Sequence, residues 1–108
     1  MEVPDVIKKD VEKKGGIEGI VNLLAVEDKI VQESKIHYAL SDPLRMKILN
    51  LLIIQPLCVC LMKEIVKISD SKLSYHLSIL KECNLIEGKR KGNWIIYHAT
   101  ELGKKYKV

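Results

Sequence analysis

Cys58 and Cys60, separated by a single residue, are the sharpest chemical feature of this chain. Paired thiolates suit a soft ion such as arsenite, cadmium or copper(I), or a thiol oxidation. In a regular helix, side chains two residues apart point about 200° from one another and cannot share an ion. In an extended strand they point the same way. Pro56 and an apolar segment from Leu61 place the pair at the mouth of a helix. A bent backbone there brings the sulfurs together, and the helix N-terminus favours thiolate. Two thiolates do not complete a tetrahedral zinc site; a third ligand would come from Cys83, His37 or the N-terminal arm of a partner. A disulfide across so short a ring is strained, which favours a metal or metalloid. The same strain makes a disulfide easily reduced, so a redox switch stays open. The competing reading is that both cysteines are small buried residues.

A second constellation suits nucleic acid. Leu73, Leu77 and Leu80 form one apolar stripe at i, i+4, i+7, after Ser69 or Asp70 as a cap. The opposite face carries Ser71, Lys72, Ser74, Tyr75 and Ser78. Short hydroxyls, a cation and a phenol can hydrogen-bond to phosphates and base edges in a major groove. Asn84 suits the helix end, and a hairpin is expected next: Leu85 to Lys89, a turn around Lys91-Gly92-Asn93, then Trp94-Ile95-Ile96-Tyr97. Lys89, Arg90 and Lys91 sit at its expected tip, where phosphate contact is the favoured role and an ordinary solvated turn the alternative. Trp94 and Tyr97 are expected to pack the hairpin onto the helices, and His37 and His98 to be isolated structural residues. His76 is a scaffold candidate that also borders the polar face, and Cys83 a core candidate.

The elements that position these groups follow from punctuation and periodicity. Pro4-Asp5 starts a thin helix or arm with Val3, Ile7 and Val11, ended by Gly15-Gly16. Ile17, Ile20, Val21 and Leu24 give a clear helical face, and another helix spans about 28–40. Ser41-Asp42-Pro43 starts the next, with Leu44, Ile48, Leu51 and Leu52 inward and a stop before Pro56. A short helix from Leu61 to Ile68 puts Leu61, Ile65 and Ile68 inward, and Glu101 to Tyr106 adds one more turn.

The chain has 108 residues, enough for one self-sufficient domain and too few for a deep enclosed active site. Its net charge of +4 is unevenly spread. Residues 1–42 hold six Lys and nine acids, whereas residues 63–108 hold ten Lys/Arg and five acids. The basic excess therefore lies with the polar helix and hairpin, as a nucleic-acid surface requires. Three cysteines with a tight pair do not resemble a secreted disulfide framework. With no apolar leader and no membrane-length apolar run, the cytoplasm is the expected location. Gly-rich phosphate loops, G-x-S-x-G and H-E-x-x-H are all missing, so an enzyme is not expected.

The segment Ala39 to Leu49, ALSDPLRMKIL, resembles the "ALSDPTRLKIL" opening of ArsR/SmtB-type winged helix-turn-helix regulators. Leu57-Cys58-Val59-Cys60 is similar to their "LCVC" box, Ser71 to Leu80 to their "S-x-x-S-x-H-L-x-x-L" recognition helix, and Gly92 to Tyr97 to their "G-x-x-x-x-Y" wing. The likeness covers about residues 28–100. It implies a homodimeric DNA-binding regulator, often a repressor released when a metal ion, metalloid or oxidant acts on its cysteines. Leu61 stands where the box usually continues with Asp, Lys63 where arsenite sensors often add a third Cys, and Asp70 where a glutamine is common. The Asp70 carboxylate would repel phosphate, yet it can cap the helix or accept from a cytosine amino group. Ending at Val108, the sequence lacks the long C-terminal dimer helix with its His/Asp zinc site, and the segment before Asp28 is expected to replace that dimer surface.

The resulting expectation is a mostly α fold with a small β-hairpin: a winged helix-turn-helix of about five helices plus a two-stranded wing. Residues 1–27 form a helical extension for dimerisation and 28–108 the DNA-binding domain. The partners are a near-palindromic double-stranded operator and a second copy, with no membrane and no obligatory cofactor. Expected DNA contacts are Asp70, Ser71, Lys72, Ser74, Tyr75, His76, Lys89, Arg90, Lys91 and Asn93. Cys58 and Cys60 are the metal or redox site, with a thiophilic metal or metalloid as effector. The alternatives are a thiol redox-responsive regulator and a winged-helix protein-interaction module with structural cysteines.

Overall fold

The computed structural model describes residues 2–108. Along the chain come α1 (Asp5–Lys13), α2 (Gly16–Leu23), α3 (Glu27–Leu40), α4 (Pro43–Ile54), β1 (Leu57–Cys58), α5 (Val59–Val66), α6 (Asp70–Glu82), β2 (Ile86–Lys91), β3 (Trp94–Ala99) and α7 (Glu101–Lys104). The fold is mostly α with a small antiparallel sheet, as the sequence predicts. Among the described residues it has seven helices and three strands, against the expected five or so and two. The extra strand is β1, which adds to the hairpin in the order β1-β3-β2. Two residues are too few for alternation to reveal a strand; the pairing Leu57↔Tyr97 and Cys58↔Ile96 does so. The chain divides into two compact units at Val31/Gln32.

In the second unit the core is built by α3, α4, α5, α6 and the sheet. Asp42 caps α4, its carboxylate accepting from the backbone N–H of Leu44 at 2.8 Å, with Pro43 at the first helical position. The buried face of α4 is Arg45, Ile48, Leu49 and Leu52, rotated from the expected one so that Leu44 and Leu51 are only half-buried. In α5 the inward residues are Met62 and Val66; Leu61 and Ile65 are exposed. Both pairs have helical spacing and both are apolar, so periodicity could not choose between them. The start of α5 at Val59, immediately after the paired β1, sets its rotation.

Lys67, in the left-handed region at φ 55°, ends α5 and opens the tight turn into α6. Ser69 caps α6 by accepting from Lys72 N–H at 3.2 Å. Leu73, Leu77 and Leu80 are all buried, as the stripe predicts, each contributing roughly 1.5–3 kcal/mol of apolar burial. Asn84 takes a positive φ of 59°, so that Leu85 N–H reaches Leu80 C=O and its own N–H reaches Lys81 C=O. This left-handed stop satisfies the last carbonyls and sends the chain into β2. At the far end of β3, the Thr100 hydroxyl donates to Asn84 C=O at 2.6 Å and accepts from Gly103 N–H. Gly103 lies so close to the Leu85 carbonyl that a Cβ there would collide with it.

In the first unit, α1 and α2 pack on each other across Gly15-Gly16. Gly15 needs its φ of +93°, and a Cβ on Gly19 would strike the Lys14 carbonyl. Neither helix has a buried residue.

Candidate nucleic-acid interface and thiol pair

Helix α6 buries its leucines, which leaves Ser71, Lys72, Ser74, Tyr75 and Ser78 exposed on the other side. Ser71, Ser74, Ser78 and Lys81 line a cleft of about 510 Å³ whose far walls are Val59 and Tyr97. The Lys81 ammonium lies over the Tyr97 ring, 5.8 Å from its centre. Asp70, at the cleft edge, is ion-paired to Lys63 of α5 at 2.9 Å, so its charge is partly answered within the turn between the two helices.

Tyr75 is half-exposed, and a hydrogen bond with the Tyr38 hydroxyl pushes its phenol pKa up. His76 points the other way. Its Nδ1 lies 3.2 Å from Arg45 Nη1, and its ring is half-buried. As the guanidinium can only donate, the contact casts Nδ1 as the acceptor. That contact links the middle of α6 to α4.

Arg45 is the residue the sequence reading missed. Only 5% exposed, it donates from Nε to Ala39 C=O at 2.7 Å and from Nη2 to Tyr38 C=O. It also lies 3.7 Å from the Asp42 carboxylate and over the Tyr38 ring. One buried cation thereby ties the last turn of α3, the cap of α4 and the middle of α6. The signal was in the sequence: Arg45 shares the i, i+3, i+4, i+7 stripe with Ile48, Leu49 and Leu52. Backbone hydrogen bonding from Leu44 is the main reason the Asp42 carboxyl sits below the usual range.

In the wing, the turn is the two residues Gly92-Asn93, with Gly92 at φ +60°. Lys89, Arg90 and Lys91 therefore belong to β2 rather than to the tip, opposite Ile96, Ile95 and Trp94. All three cations are exposed, as is Asn93 in the turn. Lys89 is 3.9 Å from Glu87, and Arg90 donates to Gly92 C=O. His98 is not isolated: its Nε2 is 2.7 Å from the Glu87 carboxylate. Tyr97 is half-buried against the core, whereas Trp94 is 61% exposed and does not pack the hairpin onto the helices.

The two box cysteines do converge. Cys58 ends β1 and is the N-cap of α5; Cys60 lies in the first turn, and the sulfurs are 2.8 Å apart. The hydrogen bond from the Cys60 thiol, with help from Leu61 N–H, lowers the Cys58 pKa, while the same contact raises that of Cys60. Cys60 is exposed and Cys58 half-buried, so neither behaves as a core residue. Cys83 does not join them; its thiol donates to Lys35 C=O at 3.5 Å, and burial raises its pKa. No group of three His, Cys, Asp or Glu residues among those described could hold a metal ion, so His37 does not complete the site either. Nor is any helix among them long and apolar enough to cross a membrane.

This arrangement has relatives. Residues 42–88 match the family described as bacterial regulatory protein, arsR family. An HTH-type transcriptional regulator of Methanocaldococcus jannaschii is 31% identical over 75 residues, which cover 68% of this chain and 84% of that one. The chain belongs to the ArsR family. The arsenical resistance operon repressor of Bacillus subtilis is 48% identical over 44 residues, 41% of this chain and 42% of the repressor. The homodimeric winged helix-turn-helix DNA-binding domain from Mycobacterium bovis superimposes with a TM-score of 0.67 at 22% identity, over 76% of this chain and 81% of that one. The likeness shows the winged helix-turn-helix fold. This ArsR-family chain spans 42% and 56% of the lengths of the B. subtilis repressor and of an SmtB homolog from Synechocystis. These ArsR-family relatives are transcriptional regulators, not enzymes.

Proposed function

We propose that the chain is one protomer of a homodimeric transcriptional repressor that reads a near-palindromic operator with α6 and the wing. The observation that carries this reading is the two-sidedness of α6. Its leucine stripe is fully committed to the core, and the hydroxyl, phenol and lysine face beside the cationic β2 is left to solvent. One protomer offers one recognition helix, hence one half-site, so two-fold symmetry is needed for a complete operator. The exposed face of Ile17, Ile20, Val21 and Leu24 supports a second copy as the partner of the first unit. Replacing Lys89, Arg90 and Lys91 by Ala is expected to weaken binding to every duplex and lower the slope of log K against log salt by roughly 0.9 per lost phosphate contact. Replacing Ser74 or Tyr75 should blur sequence preference instead. Wild-type affinity of the triple variant at physiological salt would defeat the wing assignment, and salt-independent binding would favour a protein-interaction module.

The Cys58/Cys60 pair is the effector site in this reading. Two soft donors in contact, one with a lowered pKa, suit a thiophilic metal or metalloid; relatives include arsenical and cadmium resistance regulators. Such an ion supplies strong bonds to sulfur in place of the thiol proton. A third donor would come from a partner protomer or a solution thiol, since the described residues hold no three-ligand group. Cys58 is both the strand partner of Ile96 and the N-cap of α5, so rearrangement of the pair reaches the wing and the helix before α6 at once. A coupling of about 1–3 kcal/mol would change operator affinity 5–150-fold. The test challenges operator complexes of the wild type and of Cys58→Ser/Cys60→Ser with arsenite, cadmium and a mild oxidant. Release in the wild type alone supports the site, and its dependence on oxidant or ion separates redox from metal sensing. Equal responses would leave the pair without a sensing role. Alkylation of Cys58 should begin at lower pH than for an ordinary thiol, and Cys60→Ala should remove that advantage.

A further inference from the structure

Tyr38 stands in the last turn of α3 and is 59% exposed, so its ring is not part of the core. Three contacts nevertheless bring that ring to α6. The Arg45 guanidinium lies over it, 5.3 Å from its centre, and the same guanidinium reaches Nδ1 of His76 at 3.2 Å. Tyr38 and Ile79 of α6 line one crevice of about 400 Å³. The Tyr38 hydroxyl also shares a hydrogen bond with that of Tyr75. Tyr75 and Ile79 are one helical turn apart, so Tyr38 runs along one side of α6, next to its exposed polar face.

An exposed tyrosine on a helix is ordinarily free to change rotamer. Tyr75 is instead tied at its tip to a ring that a buried cation covers. A phenol fixed in advance loses less freedom when it meets a ligand, and so keeps more of the free energy of a well-aligned contact.

We propose that Tyr38 is a positioning residue for operator choice: without touching DNA, its hydroxyl holds the Tyr75 hydroxyl at one place on the groove-facing side of α6. This role rests on the reading of α6 as the recognition helix. Tyr75 supplies the base contact, and Tyr38 sets how sharply that contact discriminates. The hydroxyl can be tested apart from the ring, because the ring is what the Arg45 guanidinium covers. Phenylalanine at position 38 keeps the ring and removes only the tether.

The test uses the full-length protein with carbon-13-labelled tyrosines, first without DNA. The bond with Tyr38 pushes the Tyr75 phenol pKa up, so in Tyr38→Phe the Tyr75 resonance should titrate at lower pH than in the wild type. Identical titration would overturn the tether. A preferred duplex is then selected with the wild type from a random pool, and affinities are measured for it and for each single-base-pair variant. Tyr38→Phe is expected to lower discrimination about 2–10-fold at the base pair where Tyr75→Phe lowers it, the scale of one net hydrogen bond. The double variant should lose no more than Tyr75→Phe alone. The salt slope and the urea midpoint should keep their wild-type values, since no charge and no ring is removed. Losses that add, or wild-type discrimination by Tyr38→Phe, would overturn the positioning role and leave α6 as the recognition helix. Duplex binding whose base preference is unmoved by Tyr75→Phe would overturn the Tyr75 contact and this role with it. No binding of any duplex by the wild type would overturn the operator reading as well.

Discussion

The residues before Gln32 and those after it treat apolar side chains in opposite ways. Among the described residues every buried hydrophobic lies from Ile36 onward, whereas Val6, Ile17 and Leu23 of α1 and α2 are each more than 70% exposed. The second unit has an intrachain core made of several elements that lock together. The first is a helical hairpin whose two glycines allow close approach but whose apolar faces remain uncovered. Short helices are marginal in water without tertiary packing. The contrast teaches that one unit buries its apolar surface within the chain, while the other leaves its apolar faces open, as the proposed dimer requires.

The largest test of that contrast is stability itself. Leu80→Ala, at a fully buried position of α6, is expected to cost about 2–5 kcal/mol in urea unfolding. Ile17→Ala at the same dilution should change it by less than about 0.5 kcal/mol. Comparable losses would break the comparison. Removing residues 1–26 should weaken self-association by about 100-fold, or roughly 2.7 kcal/mol, and give monomers in sedimentation at micromolar concentration. The unfolding midpoint of the remaining domain should hold; a truncated protein that stays dimeric would place the interface elsewhere. Gly19→Ala drives a methyl into the Lys14 carbonyl. Its expected cost of about 1–3 kcal/mol should appear as weaker dimerisation, not as a lower midpoint for the winged domain.

The smallest effect belongs to the second unit. Asp42→Ala removes a helix cap and is expected to cost about 1 kcal/mol at neutral pH. Because the folded Asp42 pKa lies below its unfolded value, its contribution is complete above about pH 3.9 and disappears as pH falls through the lower folded value. Stability curves of the wild type and the variant should therefore converge in acid. A constant gap down to the lowest pH would show that the carboxylate is not the source.

Much of the winged domain was legible because its signals are local. Asp42-Pro43 and Ser69 start helices where a side-chain oxygen can meet free N–H groups, and Asn84 stops one where a left-handed residue is needed. Leucines at i, i+4, i+7 bury as written, since α6 has one continuous apolar stripe and a polar opposite face. The closeness of Cys58 and Cys60 was readable for the same reason: proline, short extended segment and helix start follow one another within a few residues. In α5, by contrast, two apolar stripes compete, and local spacing has no means of ranking them. Met62 wins over Leu61 because Leu57 must face the core opposite Tyr97, a partner forty residues away in the chain.

The sequence alone therefore determined the helices, their caps, the wing, the polar face of α6 and the convergence of the thiols, because each depends on residues within one or two turns. Tertiary structure alone decided the third strand, the rotation of α5, the choice of His76 and Tyr38 as partners of Arg45, and the outward face of Trp94. Each of those depends on which distant backbone or side chain supplies a hydrogen bond or excludes water. A buried guanidinium needs partners, and here two carbonyl oxygens of α3 and a ring nitrogen of α6 supply them. Trp94 stays in solvent because the hairpin face opposite its own is the one the core fills.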